Sequence, residues 1–124
     1  MIAGVGIDMI EVERVAAKIS KESGFRELVF SAHEIDYCET RANKYEHYAA
    51  RFAAKEAFLK ALGTGWVNGT AYNEIEIRNQ ANGKPELALL GETGKLVAQM
   101  EFLSVLVSLS HLKSMASAIV IIEK

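Results

Sequence analysis

The densest group of chemically capable side chains lies in Arg51-Phe-Ala-Ala-Lys55-Glu56-Ala-Phe-Leu-Lys60-Ala-Leu-Gly63-Thr64-Gly65, where three cations and a carboxylate share one stretch with several alanines. Glu56 and Lys60 are four residues apart and so share a helix face. The plain reading of that spacing is a surface ion pair worth about 0.2–0.5 kcal/mol. A carboxylate beside an ammonium is also what a Mg²⁺–polyphosphate site needs, with oxygen for the metal and a cation for the phosphate. On spacing alone the ion pair is the favoured reading.

Two further residues have the same two-sided character. Asp8 follows the apolar run Ile2–Ile7, where it either caps the next helix or binds a cation at a sheet edge. His111 follows the run Ser104–Ser110, as a surface histidine or a donor to phosphate. Along the first helix Arg14, Lys18 and Lys21 recur at i, i+4 and i+7. They form a basic stripe able to dock an acidic partner.

Other motifs fall away on inspection. Gly4-Val-Gly6-Ile-Asp8-Met9 has two glycines of a dinucleotide fingerprint, but Met9 stands at the third. Gly91-Glu-Thr-Gly94-Lys95 resembles the end of a P-loop, yet Leu89 and Leu96 occupy its defining positions. His33, Cys38 and His47 lack a zinc spacing, and Cys38 is expected to be structural.

The elements that must position these groups are legible from periodicity. Strand character marks Ile2–Asp8, Asn73–Arg78, Glu86–Leu90, Ser104–Ser110 and Ala116–Ile122, the middle pair joined as a hairpin through Asn82-Gly83-Lys84-Pro85. Val12, Val15, Ala16 and Ile19 predict a first amphipathic helix. A short segment near Phe25–Phe30 follows, then a helix over His33–Glu39 capped by Ser31 with Glu34. The longest helix is predicted from Lys44 to Leu62 with Gly63 as its stop, and the last over Thr93–Met100. Segregated elements of this kind predict an α+β fold with a mainly antiparallel sheet.

The chain has 124 residues, half of them hydrophobic, and a formal net charge of −2. One domain over 1–124 is expected. The charge argues against general nucleic-acid binding. No apolar run approaches the ~20 residues of a membrane span. One cysteine and no secretory pattern point to a reduced, cytoplasmic setting. Asn68-Gly69-Thr70 reads as a turn rather than a glycosylation site.

Taken in order, Gly4-Val-Gly6-Ile-Asp8, Arg51 to Lys60, Gly63-Thr64-Gly65, Asn82-Gly83-Lys84-Pro85 and Ser110-His111 resemble holo-[acyl-carrier-protein] synthase, the small bacterial 4′-phosphopantetheinyl transferase family, over essentially the whole chain. The resemblance implies that family's fold. It also implies transfer of the 4′-phosphopantetheine arm of coenzyme A to a serine of apo acyl carrier protein, releasing adenosine 3′,5′-bisphosphate, in fatty acid biosynthesis. Asp8 and Glu56 would be ligands of Mg²⁺, and Lys60 would neutralise the pyrophosphate. Arg51 and His111 would face the nucleotide end. Gly63 and the turn carrying Lys84 and Pro85 would shape the adenine side, and Arg14, Lys18 and Lys21 would dock the carrier protein. Glu56, or a water held at Asp8, would take the serine proton.

The family is usually a homotrimer with active sites between subunits. That suits two C-terminal strands apolar on both faces. Asp8, Glu56 and Lys60 would then come from one subunit, completed by Arg51, His111 or the proline turn of a neighbour. Leu59, Leu112 and Met115 depart from the family pattern. They motivate the alternative of a catalytically inactive CoA- or nucleotide-binding interaction protein.

Overall fold

The computed structural model describes residues 1–63, 65 and 69–124. Thr64 and Asn68, named above in two motifs, lie outside the described residues. Strand β1 (Ile2–Glu11) leads into helices α1 (Val12–Ser20), α2 (Phe25–Val29), α3 (Ala32–Glu39) and α4 (Lys44–Leu62). A 3₁₀ turn at Tyr72–Glu74 precedes the hairpin β2 (Ile75–Asn79) and β3 (Pro85–Leu89). Helix α5 (Gly91–Ala98) and strands β4 (Ser104–His111) and β5 (Met115–Glu123) complete the chain. The fold is α+β with every strand pair antiparallel. The strands form two sheets, one ordered β1-β5-β4 and one of β2 and β3 alone.

Helix α4 organises the core. Its 19 residues span about 28 Å, and its alanines Ala53, Ala57 and Ala61 let it lie flat against the inner face of the three-stranded sheet. Val120 and Ile122 of β5 and Ile75 and Ile77 of β2 fill the same core. A second cluster, with Val15, Phe30, Cys38 and Tyr48, seats α1, α2 and α3 on the N-terminal half of α4.

The predicted capping box is present: the Glu34 amide donates to Ser31 Oγ at 3.2 Å and the Ser31 amide to Glu34 Oε1 at 3.0 Å. Gly63 ends α4 at φ +81°. Gly83 turns the hairpin at φ +88°.

Among the boundaries that differ from expectation, three do so through a distant partner. Strand β1 runs three residues past Asp8 because β5 pairs with it as far as Glu11↔Met115. Asp8 is therefore mid-strand, opposite Ala118. It does not cap α1, whose N-cap is Glu11. Helix α5 begins at Gly91, two residues early, because Glu74 Oε1 accepts hydrogen bonds from the Thr93 amide (3.1 Å) and hydroxyl (2.7 Å), capping it from another element. Residues 73 and 74 leave the predicted strand for the 3₁₀ turn.

The outer face of the three-stranded sheet stays uncovered. Val5, Ile7 and Met9 of β1 are each more than half exposed, and Leu106 and Ile119 beside them are also open to solvent. Among the described residues no helix is long and apolar enough to cross a membrane.

Candidate active site

Alternate residues of a strand share a face, so Gly4, Gly6 and Asp8 all turn toward α4. A Cβ on Gly4 would fall 2.0 Å from the Ala61 carbonyl oxygen, and one on Gly6 would fall 1.9 Å from that of Ala57. Only glycine lets the helix backbone come this close to the strand. The motif's glycines are thus the contact surface, and its aspartate is what that contact delivers to the helix. Asp8 Oδ1 meets Lys60 Nζ at 2.9 Å, and the same ammonium donates to the Ile7 carbonyl at 3.0 Å.

Glu56, one turn before Lys60, points to the same corner. Its Oε1 accepts a hydrogen bond from the Tyr72 hydroxyl at 2.9 Å. The Tyr72 ring stacks on Phe52, centroids 6.0 Å apart at 25°. Burial first, then Glu56 and the Asp8 charge, push the Tyr72 hydroxyl up to about 12. It therefore stays a neutral donor, and Asp8 and Glu56 evidently share one field. The anticipated Glu56–Lys60 ion pair is not formed among the described residues: Lys60 turns to Asp8 and Glu56 to Tyr72.

No three His, Cys, Asp or Glu side chains gather around one point among the described residues. The available donor set is two carboxylates. That set fits Mg²⁺, which takes hard oxygen ligands and is commonly held by one or two carboxylates with substrate phosphate and water.

A second cluster occupies the N-terminal half of α4. A pocket of about 160 Å³ is lined by residues including His47, Arg51, Asn79, Pro85 and His111. Arg51 is almost wholly buried. It donates to Asn79 Oδ1 at 2.7 Å, lies 4.3 Å over the Tyr37 ring, and among the described residues leaves its Nε without a hydrogen-bond partner. His111 Nδ1 is 2.8 Å from Glu46 Oε1. Three of the sequence-predicted residues, Arg51, Pro85 and His111, therefore meet in one cavity. Lys84 is exposed beside that cavity and Gly63 caps the other end of α4.

The two clusters do not share a helix face. Arg51 and Glu56 are five residues apart, which puts them about 140° apart around the helix. The space between is filled by Lys55, Phe52 and Tyr72. Lys55, one of the three cations noted along this helix in the sequence, is fully buried. Its Nζ donates to Glu34 Oε1 at 2.7 Å, to the Tyr72 carbonyl at 2.9 Å and to the Ile75 carbonyl.

Arg14, Lys18 and Lys21 are exposed on α1 and make no ion pair among the described residues. Arg26, by contrast, is held by Glu27 at 2.7 Å and Glu39 at 3.3 Å. Burial pushes the Cys38 thiol up to about 12, consistent with a structural cysteine. Of the departing residues, Leu59 is buried core, Leu112 is exposed and Met115 half-buried.

Residues 4–113 match the model of the 4′-phosphopantetheinyl transferase superfamily. The chain belongs to that superfamily. Its similarity extends to the holo-[acyl-carrier-protein] synthase of Cytophaga hutchinsonii, 48% identical over all of this chain and 99% of that protein. The crystal structure of holo-[acyl-carrier-protein] synthase from Neisseria meningitidis superposes with a TM-score of 0.92 at 30% identity, covering 100% of both chains. A holo-(acyl-carrier-protein) synthase from Bacillus anthracis in complex with CoA (3′,5′-ADP) matches at TM-score 0.82 and 36% identity, covering 100% of this chain and 98% of that one.

Tyr72, His47, Asn79 and Tyr37 of these clusters were not singled out from sequence as site residues. Tyr72 precedes a strand and has no local signal. His47 had one: it stands four residues before Arg51, hence on the same helix face.

Proposed function

We infer that this protein transfers the 4′-phosphopantetheine arm of coenzyme A to a serine of apo acyl carrier protein, releasing adenosine 3′,5′-bisphosphate. The observation that carries the reading is the β1–α4 contact, in which two glycines bring Asp8 against Lys60 beside Glu56. Membership of the superfamily and the CoA-bound relative support it.

In this reaction the serine Oγ bonds to the phosphorus nearer the pantetheine arm. The bond from that phosphorus to the bridging oxygen breaks, and its electron pair leaves on the nucleotide's 5′-phosphate. Such transfer depends mainly on positioning and on charge stabilisation. Lys60, half exposed at the corner, supplies an ammonium where negative charge grows on the leaving phosphate. The serine proton has two receivers: the open side of Asp8 through a water, and Glu56 Oε2, which makes no hydrogen bond among the described residues. Tyr72 fixes the other Glu56 oxygen. Asp8 and Glu56 would hold Mg²⁺, which when bound lowers the charge of the pyrophosphate.

Arg51 and His111 face the nucleotide end, with the Gly83–Pro85 turn beside them. Because these groups lie on a different flank of α4 from Glu56, one extended CoA bridges them best between two copies of the chain. The uncovered apolar face of β1, β5 and β4 supports a homotrimer with interface sites. The unpaired stripe of Arg14, Lys18 and Lys21 suits an acidic carrier protein, and the setting is the cytoplasm in fatty acid biosynthesis.

Incubation with CoA, Mg²⁺ and apo carrier protein is expected to add one phosphopantetheine to the carrier serine, read by mass spectrometry. CoA binding without any mass gain across several carriers would instead favour the inactive binding module.

A further inference from the structure

The pocket at the N-terminal half of α4 holds one group that the transfer reaction described above leaves unused. His47 is half-buried there, on the same helix face as Arg51. Its ring packs edge-on against two others, Tyr37 at 5.6 Å and His111 at 5.1 Å between centroids. Those contacts fix the plane of the imidazole. Neither of its nitrogens has a hydrogen-bond partner among the described residues, and neither is sealed from solvent.

A pocket wall with two imidazoles and a buried guanidinium is a donor surface. Asn79 Oδ1 accepts from Arg51, and its Nδ2 donates to the Gly83 carbonyl at 3.0 Å. Among the described residues no carboxylate lines the cavity; Glu46 stands behind His111, at its Nδ1. With Nδ1 held by that carboxylate, His111 offers Nε2–H to a ligand when it is protonated.

We propose that His47 is a specificity-determining residue of this pocket, a third donor that selects a phosphate monoester dianion, namely the 3′-phosphate of CoA. This rests on the reading of the pocket as the nucleotide end. The groups facing His47 are Tyr37 from α3, Arg41 from the turn after it, Glu46 and Arg51 from its own helix, and His111 from β4. Three of these are or can be cationic. Within the pocket, burial first and then His111, Arg51 and Arg41 hold the His47 imidazole below its ordinary value, with Glu46 opposing. A dianion reverses that balance, because an opposite charge within a few ångströms favours the protonated ring. Binding of the monoester therefore takes up a proton, and the preference for it weakens as pH rises.

The test compares CoA with dephospho-CoA by titration calorimetry at pH 6 and pH 8, for the wild type, His47→Phe and Arg51→Gln. Phenylalanine keeps the ring contacts and removes the nitrogens. Wild type should prefer CoA over dephospho-CoA more strongly at pH 6 than at pH 8. His47→Phe should lower that preference about tenfold at pH 6 and only slightly at pH 8, with dephospho-CoA affinity unchanged. Proton uptake on CoA binding, from buffers of different ionisation enthalpy, should fall in the same variant. An unchanged preference and unchanged proton uptake in His47→Phe, while Arg51→Gln loses the preference, would overturn the role of His47 and leave the functional reading standing. Absence of CoA binding by the wild type would overturn both.

Discussion

Lys55 and Lys60 stand five residues apart on one helix, and each meets a carboxylate, yet the two pairs have opposite characters. Lys55 and Glu34 are both 0% exposed, and every polar atom of the pair is engaged. Glu34 Oε2 also accepts from the Ile77 amide at 2.9 Å, so this pair ties α3, α4 and β2 together. Burial pulls the Lys55 ammonium below its ordinary value, and Glu34 opposes that pull. Lys60 is 54% exposed and Asp8 17%, at a corner open to solvent. The same chemistry is a latch where the chain surrounds it and, in the proposed function, a reaction centre where one side is left open.

The comparison breaks most visibly at the latch. Lys55→Ala leaves a carboxylate buried without its cation, and the expected loss is about 3–5 kcal/mol, measured by urea denaturation. A loss below that of a surface pair would remove the contrast. Gly6→Ala is next: its Cβ must displace α4 backbone, with an expected cost of about 1–3 kcal/mol. The same shift separates Asp8 from Lys60, so transfer should fall further than stability does. Gly6→Ala with full transfer activity would mean that strand–helix contact does not set the corner.

Lys60→Ala should sharpen the comparison from the other side. Stability should change by less than about 1 kcal/mol, since exposed pairs contribute little. The transfer rate should nevertheless drop on the order of 10²–10³-fold. Acid should produce the mildest effect. A hydrogen bond from Tyr48 holds the Glu39 carboxyl below its ordinary 4.5, and Thr93 does the same for Glu74. For Glu76 burial pulls upward, but Ser31 and Arg78 outweigh it. Depressed carboxyls stabilise the fold above their unfolded value and lose that contribution as pH falls through the folded one. The melting temperature should therefore decline below about pH 4.5. A melting temperature that stays level through that range would contradict the three assignments.

Local signals made much of this readable in advance. The long helix Lys44–Leu62 follows from its periodicity and from Gly63, and the α3 cap from Ser31 and Glu34 three apart. Spacing alone favours a surface ion pair for Glu56 and Lys60 and leaves Asp8 between a cap and a cation ligand; their site roles come from the resemblance of the ordered motifs to a known family. What escaped depends on partners far along the chain. The burial of Lys55 has no local signal, because Glu34 and the carbonyls of Tyr72 and Ile75 lie 17 to 21 residues away. The early start of α5 depends on Glu74, 19 residues from Thr93 as numbered along the chain. Tyr72 meets Glu56 only because the 3₁₀ turn delivers it there, and no periodicity announces that turn.

The central claim is that the open corner of Asp8, Glu56 and Lys60 performs the transfer. Its most direct test is the rate at which phosphopantetheine appears on apo carrier protein, followed by mass spectrometry for wild type and Glu56→Gln at matched folded concentration. The account predicts transfer by the wild type and a loss on the order of 10³-fold or more in the variant. A variant that keeps a rate within a few-fold of wild type would contradict it.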